Sequence, residues 1–227
     1  LRYADDKTPI PLSGFSWDGS IFATIPAENA NRPVEVFSTA DYQPPSDDES
    51  DWYGMLDLAA CGVLTGDSDG KFHPERTVTR ADAAMLVRTL GVAQADGTQS
   101  GYADVPATAW YAPVVQTARE CGIISPDTQF RPEALVTREE FAVMTARAMS
   151  YAGLLDMEKA APTALKLEDA DAISSWAESA YESFGSLIPV SMLTEVQAAE
   201  SDDPTYLDSY LYYAEPQKAA TRLESAE

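Results

Sequence analysis

An internal repeat constrains the fold of this chain more than any other feature of its sequence. Five pairs of identical residues share one spacing (110 − 52 = 58): Trp52/Trp110, Phe72/Phe130, Pro74/Pro132, Thr79/Thr137 and Arg80/Arg138. A repeated unit with one apolar face cannot bury that face alone, so neighbouring copies bury their faces against each other. The repeat therefore predicts a set of similar packed units.

A third, degenerate copy follows the first two. Trp176 takes the place of Trp110, and Pro216 precedes Arg222 by the same step as in both earlier copies. The step from tryptophan to arginine is 138 − 110 = 28 in the second copy but 222 − 176 = 46 in the third. The difference, 46 − 28 = 18, is the length of an insertion in the third copy, which we place around 195–210.

Helical periodicity opens and closes each of the first two copies. Apolar residues recur at i, i+3, i+4 and i+7, as in Ala83, Leu86, Val87 and Leu90, and a loop rich in Gly, Asp and Pro joins the two helices. We predict a mainly α fold in which three helix-loop-helix repeats form a pseudo-threefold prism.

The repeat also sets the domain boundaries. We assign repeats to 37–92, 101–154 and 165–227, the last with its closing helix cut short. Residues 1–36 form an N-terminal extension with a candidate β-hairpin around Asp18-Gly19. Because the chain begins at Leu1 and stops at a helix start, we interpret both ends as cuts: either a targeting segment has been removed or the chain is a piece of a longer protein.

Charge excludes two classes of partner. Fifteen Lys and Arg stand against 37 Asp and Glu, which gives a net charge of −22. Nucleic acids and anionic lipid surfaces bind through Lys and Arg, of which so acidic a chain has almost none to spare, so both are poor partners. No apolar run approaches the roughly 20 residues that span a bilayer, so we expect no membrane insertion.

The inventory of catalytic and metal-binding residues is thin. His73 is the single histidine, and neither a G-x-S-x-G motif nor a phosphate loop is present. A calcium loop built on Gly70 would have Thr65 at position 1 and Arg76 at position 12, where carboxylates are required. We expect no cofactor, no metal and no enzyme activity.

Each copy carries a Thr-Arg pair followed by an acid at a predicted helix start. The threonine and the acid at i+3 form a capping box: Thr79–Asp82, Thr137–Glu140 and Thr221–Glu224. The arginine between them opposes the helix dipole, so capping does not explain it. Two explanations stay open for Arg80, Arg138 and Arg222: a salt bridge to a neighbouring repeat, or bidentate binding of a ligand carboxylate.

These motifs resemble the S-layer homology module. In the second copy the matching segments are Tyr102-Ala103-Asp104-Val105, Trp110, Cys121-Gly122-Ile123, Phe130-Arg131-Pro132 and the TREE sequence at 137–140. The first copy has TRAD at 79–82 and the third has TRLE at 221–224. The resemblance covers roughly 37–227 of the chain.

The resemblance implies a function in which modules in groups of three hold surface proteins non-covalently on the bacterial cell wall, outside the cell. The ligands would be anionic secondary cell-wall polysaccharides, often with a pyruvate ketal, bound in grooves between repeats with the arginines pointing in. We expect a weakened Arg222 groove, because Phe-x-Pro has become Ala214-Glu215-Pro216. The alternative is a protein-protein interaction module that has lost glycan binding, and self-assembly also stays open.

Further candidates each keep two interpretations. Trp52, Trp110 and Trp176 either stack on sugar faces or fill the core, and Asp104 either orients the groove or caps a loop. Gly66 allows a ligand to approach the backbone in the first copy, although its counterpart is Pro126. Cys61 and Cys121 occupy equivalent helix ends, either as a disulfide or as two free thiols.

Overall fold

A computed structural model describes residues 2–3, 14–17, 20–23, 31, 34–35, 73–90, 92–159, 166–185, 193–197, 210–222 and 224. The predictions for Trp52, Cys61 and Gly66 lie outside these residues, as does most of the rejected calcium loop.

The described part of the chain is rich in helix, as the periodicity predicts. Its helices are α1 (Arg80–Ala83), a 3₁₀ helix that continues it (Ala84–Leu90), α2 (Ala112–Glu120), α3 (Arg138–Tyr151), a short 3₁₀ helix (Ala170–Ala172) and α4 (Glu178–Phe184). The closing helix of the first copy is thus α-helical for its first turn and 3₁₀ beyond it. α2 packs against the longer 3₁₀ helix, and α3 packs against α4.

Three antiparallel strand pairs accompany the helices among the described residues. They are β1 (Arg2–Tyr3) with β4 (Val34–Glu35), β2 (Gly14–Trp17) with β3 (Ser20–Ala23), and β5 (Thr194–Gln197) with β6 (Tyr210–Tyr213). In the second pair Trp17 lies opposite Ser20, and the turn residues of the predicted hairpin, Asp18 and Gly19, lie outside the described residues. β5 and β6 bracket the inserted segment of the third copy, for which the sequence analysis predicted no secondary structure.

The predicted capping boxes form in all three copies. Each threonine hydroxyl accepts a hydrogen bond from the backbone amide of the acid, and the acid accepts one from the amide of the threonine. The three pairs are Thr79–Asp82, Thr137–Glu140 and Thr221–Glu224. Because a helix start leaves four amides without intrahelical partners, these bonds fix where α1 and α3 begin.

A closed ring of backbone hydrogen bonds joins the three copies. The amide of Val78 donates to the carbonyl of Ala220 at 2.9 Å, Ala220 donates to Val136 at 2.9 Å, and Val136 donates to Val78 at 3.0 Å. Each residue directly precedes a Thr-Arg pair, and all three are buried. The ring satisfies buried peptide groups that would otherwise be unpaired, and it orders the copies cyclically.

The helix starts make a second cyclic set of bonds. The amide of the arginine in each copy donates to a loop carbonyl of another copy: Arg80 to Ala134 at 2.9 Å, Arg138 to Lys218 at 2.8 Å, and Arg222 to Arg76 at 2.8 Å. The starts of α1 and α3, and Arg222 in the third copy, are therefore each held by the loop of a neighbour.

The loop before each Thr-Arg pair has the same backbone in all three copies. Its first residue has positive φ: His73 at 53°, Arg131 at 59° and Glu215 at 42°. In each case a proline follows directly. A side chain in this left-handed region costs about 1–2 kcal/mol relative to the right-handed one, and none of these residues is a glycine. The shared conformation makes Arg131 and Glu215 structurally equivalent.

The core is built from the helices and from the residues that lead into them. The most buried large apolar side chains are Ile123, Phe130, Val87, Val115 and Val136. Full burial of an aliphatic or aromatic side chain contributes about 1.5–3 kcal/mol. Phe130 stacks at a tilt on Tyr102, with 5.5 Å between ring centroids, and therefore fixes the start of the loop that carries Arg131.

Candidate functional site

A cavity of about 190 Å³ lies where the three copies meet beside Arg80. Arg80 comes from the first copy, Ile124 and Arg147 come from the second, and Trp176 comes from the third. The structure therefore brings together two of the site residues expected from the sequence, Arg80 and Trp176, although they are far apart along the chain (176 − 80 = 96).

Arg80 combines an ion pair with access to this cavity. Its Nη1 lies 2.7 Å from Oε1 of Glu140, and its Nε donates to the carbonyl of Phe130 at 2.8 Å. The guanidinium lies over the Phe130 ring, 5.2 Å from the centroid. The side chain is 16% exposed, and no described residue accepts a hydrogen bond from its Nη2. Arg80 thus makes the salt bridge to the neighbouring copy and also lines the cavity.

The cavity has a local excess of positive charge. Three arginines line it (Arg80, Arg131 and Arg147) against two carboxylates (Asp127 and Glu140). Arg131 is 63% exposed, with its Nη2 3.9 Å from Glu140. In a chain of net charge −22, such an excess is a local reversal that favours an anionic ligand.

Arg147 is held in place at one side of the cavity. Its Nη1 donates to the hydroxyl of Ser125 at 3.0 Å and to the carbonyl of Ile123 at 3.3 Å. Both partners belong to the segment after α2, so the start of this segment is fixed against α3.

Asp104 positions the loop that carries Arg131. Its carboxylate accepts hydrogen bonds from the amides of Phe130 at 2.8 Å and Arg131 at 2.7 Å. Burial would raise the pKa of Asp104, but these two amide bonds outweigh it and hold the pKa below its ordinary value. Asp104 is not among the residues that line the cavity. Of its two interpretations, the structure shows the loop cap.

Asp169 makes the same clamp in the third copy, and the sequence analysis missed it. Its carboxylate accepts from the amides of Ala214 at 2.7 Å and Glu215 at 2.8 Å. The signal that identifies it is its place before the tryptophan. Asp169 precedes Trp176 by 176 − 169 = 7, and Asp104 precedes Trp110 by 110 − 104 = 6.

Arg138 does not face an open groove, in contrast to the expectation. Its side chain is 3% exposed, and its Nη2 lies 2.7 Å from Oε1 of Glu224. Its Nη1 contacts Glu215 and Thr194 at 3.1 Å and the carbonyl of Ala214 at 3.3 Å. At this arginine the structure shows the salt bridge between repeats.

The three remaining site candidates, Arg222, Trp110 and Trp176, differ in how deeply they are buried. Arg222 is buried, and its amide is bonded to Arg76. Trp110 is 63% exposed and Trp176 is 52% exposed, so the core interpretation is wrong for both. Trp110 packs edge-on against Tyr111 and does not line the Arg80 cavity.

Two observations on the described residues concern metal binding and membrane insertion. They contain no group of three or more His, Cys, Asp or Glu side chains that could hold a metal ion. No helix among them is long and apolar enough to cross a bilayer. Within the same residues Cys121 is a free, partly exposed thiol.

Comparison with protein families decides the identity of the repeat. The model of the S-layer homology domain matches residues 46–84 and 101–142, which lie in the first two copies. The first two copies belong to the S-layer homology family. The second match contains both the Asp104 clamp and the start of α3, so the family's pattern coincides with the loop and cap geometry described above.

Relatives with this domain include proteins of the cell surface. The chain is 33% identical over 119 residues to cell surface glycoprotein 1 of Acetivibrio thermocellus, covering 50% of this chain and 5% of that protein. It is 32% identical over 127 residues to the surface-layer 125 kDa protein of Lysinibacillus sphaericus, covering 55% and 10%. The domain and these relatives place this chain outside the cell, at the cell wall.

Some relatives carry enzyme names. The amylopullulanase of Thermoanaerobacterium thermosulfurigenes is 36% identical over 123 residues, which is 53% of this chain and 6% of that protein. This relative matches the chain only over its S-layer homology part, and that part is a non-catalytic module. The chain spans a tenth or less of the length of these three relatives.

Proposed function

We propose that this chain anchors a larger surface protein non-covalently to the bacterial cell wall by binding an anionic secondary wall polysaccharide in the Arg80 cavity. The observation that carries the proposal is the pairing, in one cavity between copies, of a positive-charge excess with an exposed tryptophan. Family membership supplies the cell-wall context.

The chemistry of the cavity suits a sugar that bears a carboxylate, such as a pyruvate ketal. The guanidinium of Arg80, which lines the cavity, and the exposed guanidinium of Arg131 offer charge-assisted hydrogen bonds to that carboxylate. Trp176 offers a flat apolar face for the sugar ring, while Ile124 and Met144 supply apolar contacts. A neutral polysaccharide would leave the excess charge uncompensated.

In this proposal the three copies close into a pseudo-threefold helical prism. The cyclic bonds among Val78, Val136 and Ala220 support this arrangement, as do the equivalent clamps of Asp104 and Asp169. Closure matters for function because it brings Trp176 of the last copy to the cavity of the first.

The test is a pull-down of the chain with purified cell-wall sacculi, before and after extraction of the non-peptidoglycan polysaccharide. We expect binding that disappears on extraction and that Arg80→Gln abolishes without a change in the circular dichroism spectrum. Lys159→Gln is the matched control, since Lys159 is 81% exposed, pairs only with Asp156 among the described residues, and does not line the cavity. Binding that survives extraction, or that Arg80→Gln leaves intact, would contradict the proposal.

A protein-protein interaction module is the second candidate. It is favoured by the β5–β6 hairpin, which the first two copies lack in sequence and which exposes Val196 to 44%. In that case intact sacculi would not retain the chain. Self-assembly and any activity of the larger surface protein lie outside the function proposed for these repeats.

A further inference from the structure

Glu215 takes the structural place of Arg131 in the next copy. Both residues directly precede the loop proline, with φ of 42° and 59°. Both backbone amides are bonded to a clamping aspartate, Asp169 for Glu215 and Asp104 for Arg131. One loop position thus carries a cation beside Arg80 and an anion beside Arg138.

Because Glu215 stands where the other copy has Arg131, the charge around Arg138 differs from the charge around Arg80. We define the Arg138 groove as Arg138, Thr194, Ala214, Glu215 and Glu224, which are joined by the hydrogen bonds of the Arg138 guanidinium. Within this set Arg138 faces two carboxylates, and with Lys218 beside Glu215 the positive and negative charges are equal in number, whereas the Arg80 cavity has three cations and two carboxylates.

The inserted hairpin secures the internal carboxylate. The Thr194 hydroxyl, at the start of β5, donates a hydrogen bond to Glu215, and Lys218 lies 3.0 Å from the same oxygen. These two bonds, Thr194 first, lower the pKa of Glu215, so that the carboxylate stays charged beside Arg138.

The guanidinium of Arg138 is oriented toward this carboxylate. In the first copy Nε of Arg80 donates to the carbonyl of Phe130. In the second copy Nη1 of Arg138 contacts the equivalent carbonyl of Ala214, and the buried Nε has no partner among the described residues. Arg138 thus leaves one donor unsatisfied while its Nη1 meets Glu215, which is unfavourable unless the ion pair compensates.

We propose that Glu215 is a specificity-determining residue that fills the Arg138 groove with an internal carboxylate and excludes an anionic sugar from it. The inference rests on the proposed function, because it assumes that the Arg80 cavity binds such a sugar. Of these two arginine sites, only the Arg80 cavity then takes the ligand.

Methyl NMR of the whole chain separates the two sites. The chain is labelled at isoleucine and threonine methyls and titrated with a methyl hexoside that carries a pyruvate ketal. Ile124 reports on the Arg80 cavity, and Thr194 reports on the Arg138 groove. We expect saturable shifts at Ile124 and none at Thr194. Shifts at both with one affinity would overturn this inference and keep the proposed function, whereas shifts at neither would remove the proposed function itself.

Two variants test the role of Glu215 directly. Glu215→Gln removes the charge at nearly constant shape and should bring Thr194 into the titration; Glu195→Gln, on the same hairpin, should not. The reciprocal change Arg131→Glu should weaken the Ile124 response about tenfold, because it places the inhibiting carboxylate in the open cavity. A Thr194 methyl that stays silent in a folded Glu215→Gln variant would overturn the inference, and so would an Ile124 response that Arg131→Glu leaves unchanged.

Discussion

The carboxylate of Glu140 links two repeats, since its Oε1 lies 2.7 Å from Nη1 of Arg80 and its Oε2 accepts from the amide of Thr137 at 3.1 Å. The same residue therefore caps its own helix and pairs with the arginine of the preceding copy. Glu224 repeats the arrangement with Arg138 at 2.7 Å. A local capping signal and a contact between repeats thus share one side chain.

Replacement of Glu140 separates these two roles. Glu140→Gln retains the cap, because glutamine also serves at this position, and removes the charge that neutralises Arg80. We expect a loss of less than about 1 kcal/mol in the free energy of unfolding, since the pair is partly exposed, and tighter binding of an anionic sugar. Glu140→Ala should lose about 1 kcal/mol more, because the cap also disappears. Urea unfolding measures the free energy of unfolding, and calorimetric titration measures the affinity for the sugar. Equal destabilisation by Glu140→Gln and Glu140→Ala would contradict the separation of the capping role from the ion-pair role.

Burial should make Glu224 more important for stability than Glu140. Arg138 is 3% exposed and Arg80 is 16% exposed, so loss of Glu224 weakens the pairing of a more deeply buried charge, which keeps Glu215 as its other acid. We expect Glu224→Ala to cost about 3 kcal/mol in unfolding free energy, the lower end for a broken buried ion pair, and Glu140→Ala clearly less. Glu195→Ala, on an exposed residue of β5, serves as the control. A smaller effect at Glu224 than at Glu140 in urea unfolding would refute this ranking.

The Asp104 clamp predicts a pH-dependent contribution to stability. Because the folded-state pKa of Asp104 lies below its ordinary value, the contribution is present above that value and is lost as pH falls through the folded pKa. We expect Asp104→Asn to lower the unfolding free energy by about 1–3 kcal/mol at neutral pH, and the difference from wild type to shrink below about pH 4. Asp171→Asn, on an exposed residue, should show neither effect. A difference that stays constant between neutral and strongly acidic pH would contradict the clamp.

Trp176 should contribute to ligand affinity and little to stability. We expect Trp176→Ala to weaken sugar binding about tenfold, since an aromatic contact contributes on the order of 1 kcal/mol. The unfolding free energy should change by less than about 0.5 kcal/mol, because the side chain is 52% exposed. Tyr151→Ala is the matched control: Tyr151 is 53% exposed and does not line the cavity. Equal weakening by both substitutions in a calorimetric titration would exclude a specific role for Trp176.

The sequence predicted interactions between residues that are close along the chain, but not the partners of residues that are far apart. The caps at Thr79, Thr137 and Thr221 involve partners within one helical turn, so their spacing identified them before the structure did. The salt-bridge partners of Arg80 and Arg138 belong to other repeats, at sequence separations of 60 and 86. The salt bridge could therefore be named only as one alternative.

Two further features, the Asp169 clamp and the burial of Arg138, could not be predicted from the sequence for physical reasons. Asp169 lacks the aromatic lead of Asp104, and the insertion before Arg222 obscured its alignment with the rest of the copy. The burial of Arg138 depends on Thr194, which belongs to a hairpin that the first two copies do not contain in sequence. Because the sequence prediction was based on what the copies share, it could not include a contact made by a segment that only the third copy contains.

The bonds among Val78, Val136 and Ala220 also have a consequence for how an exported chain folds. The ring joins Val78 near the first helix start to Ala220 in the last copy, so it cannot close while the end of the third copy is still inside the cell. Contacts of such long sequence separation form slowly, because the entropy of loop closure is lost before they stabilise the chain. A module with this topology therefore cannot complete its fold until its last repeat has left the cell.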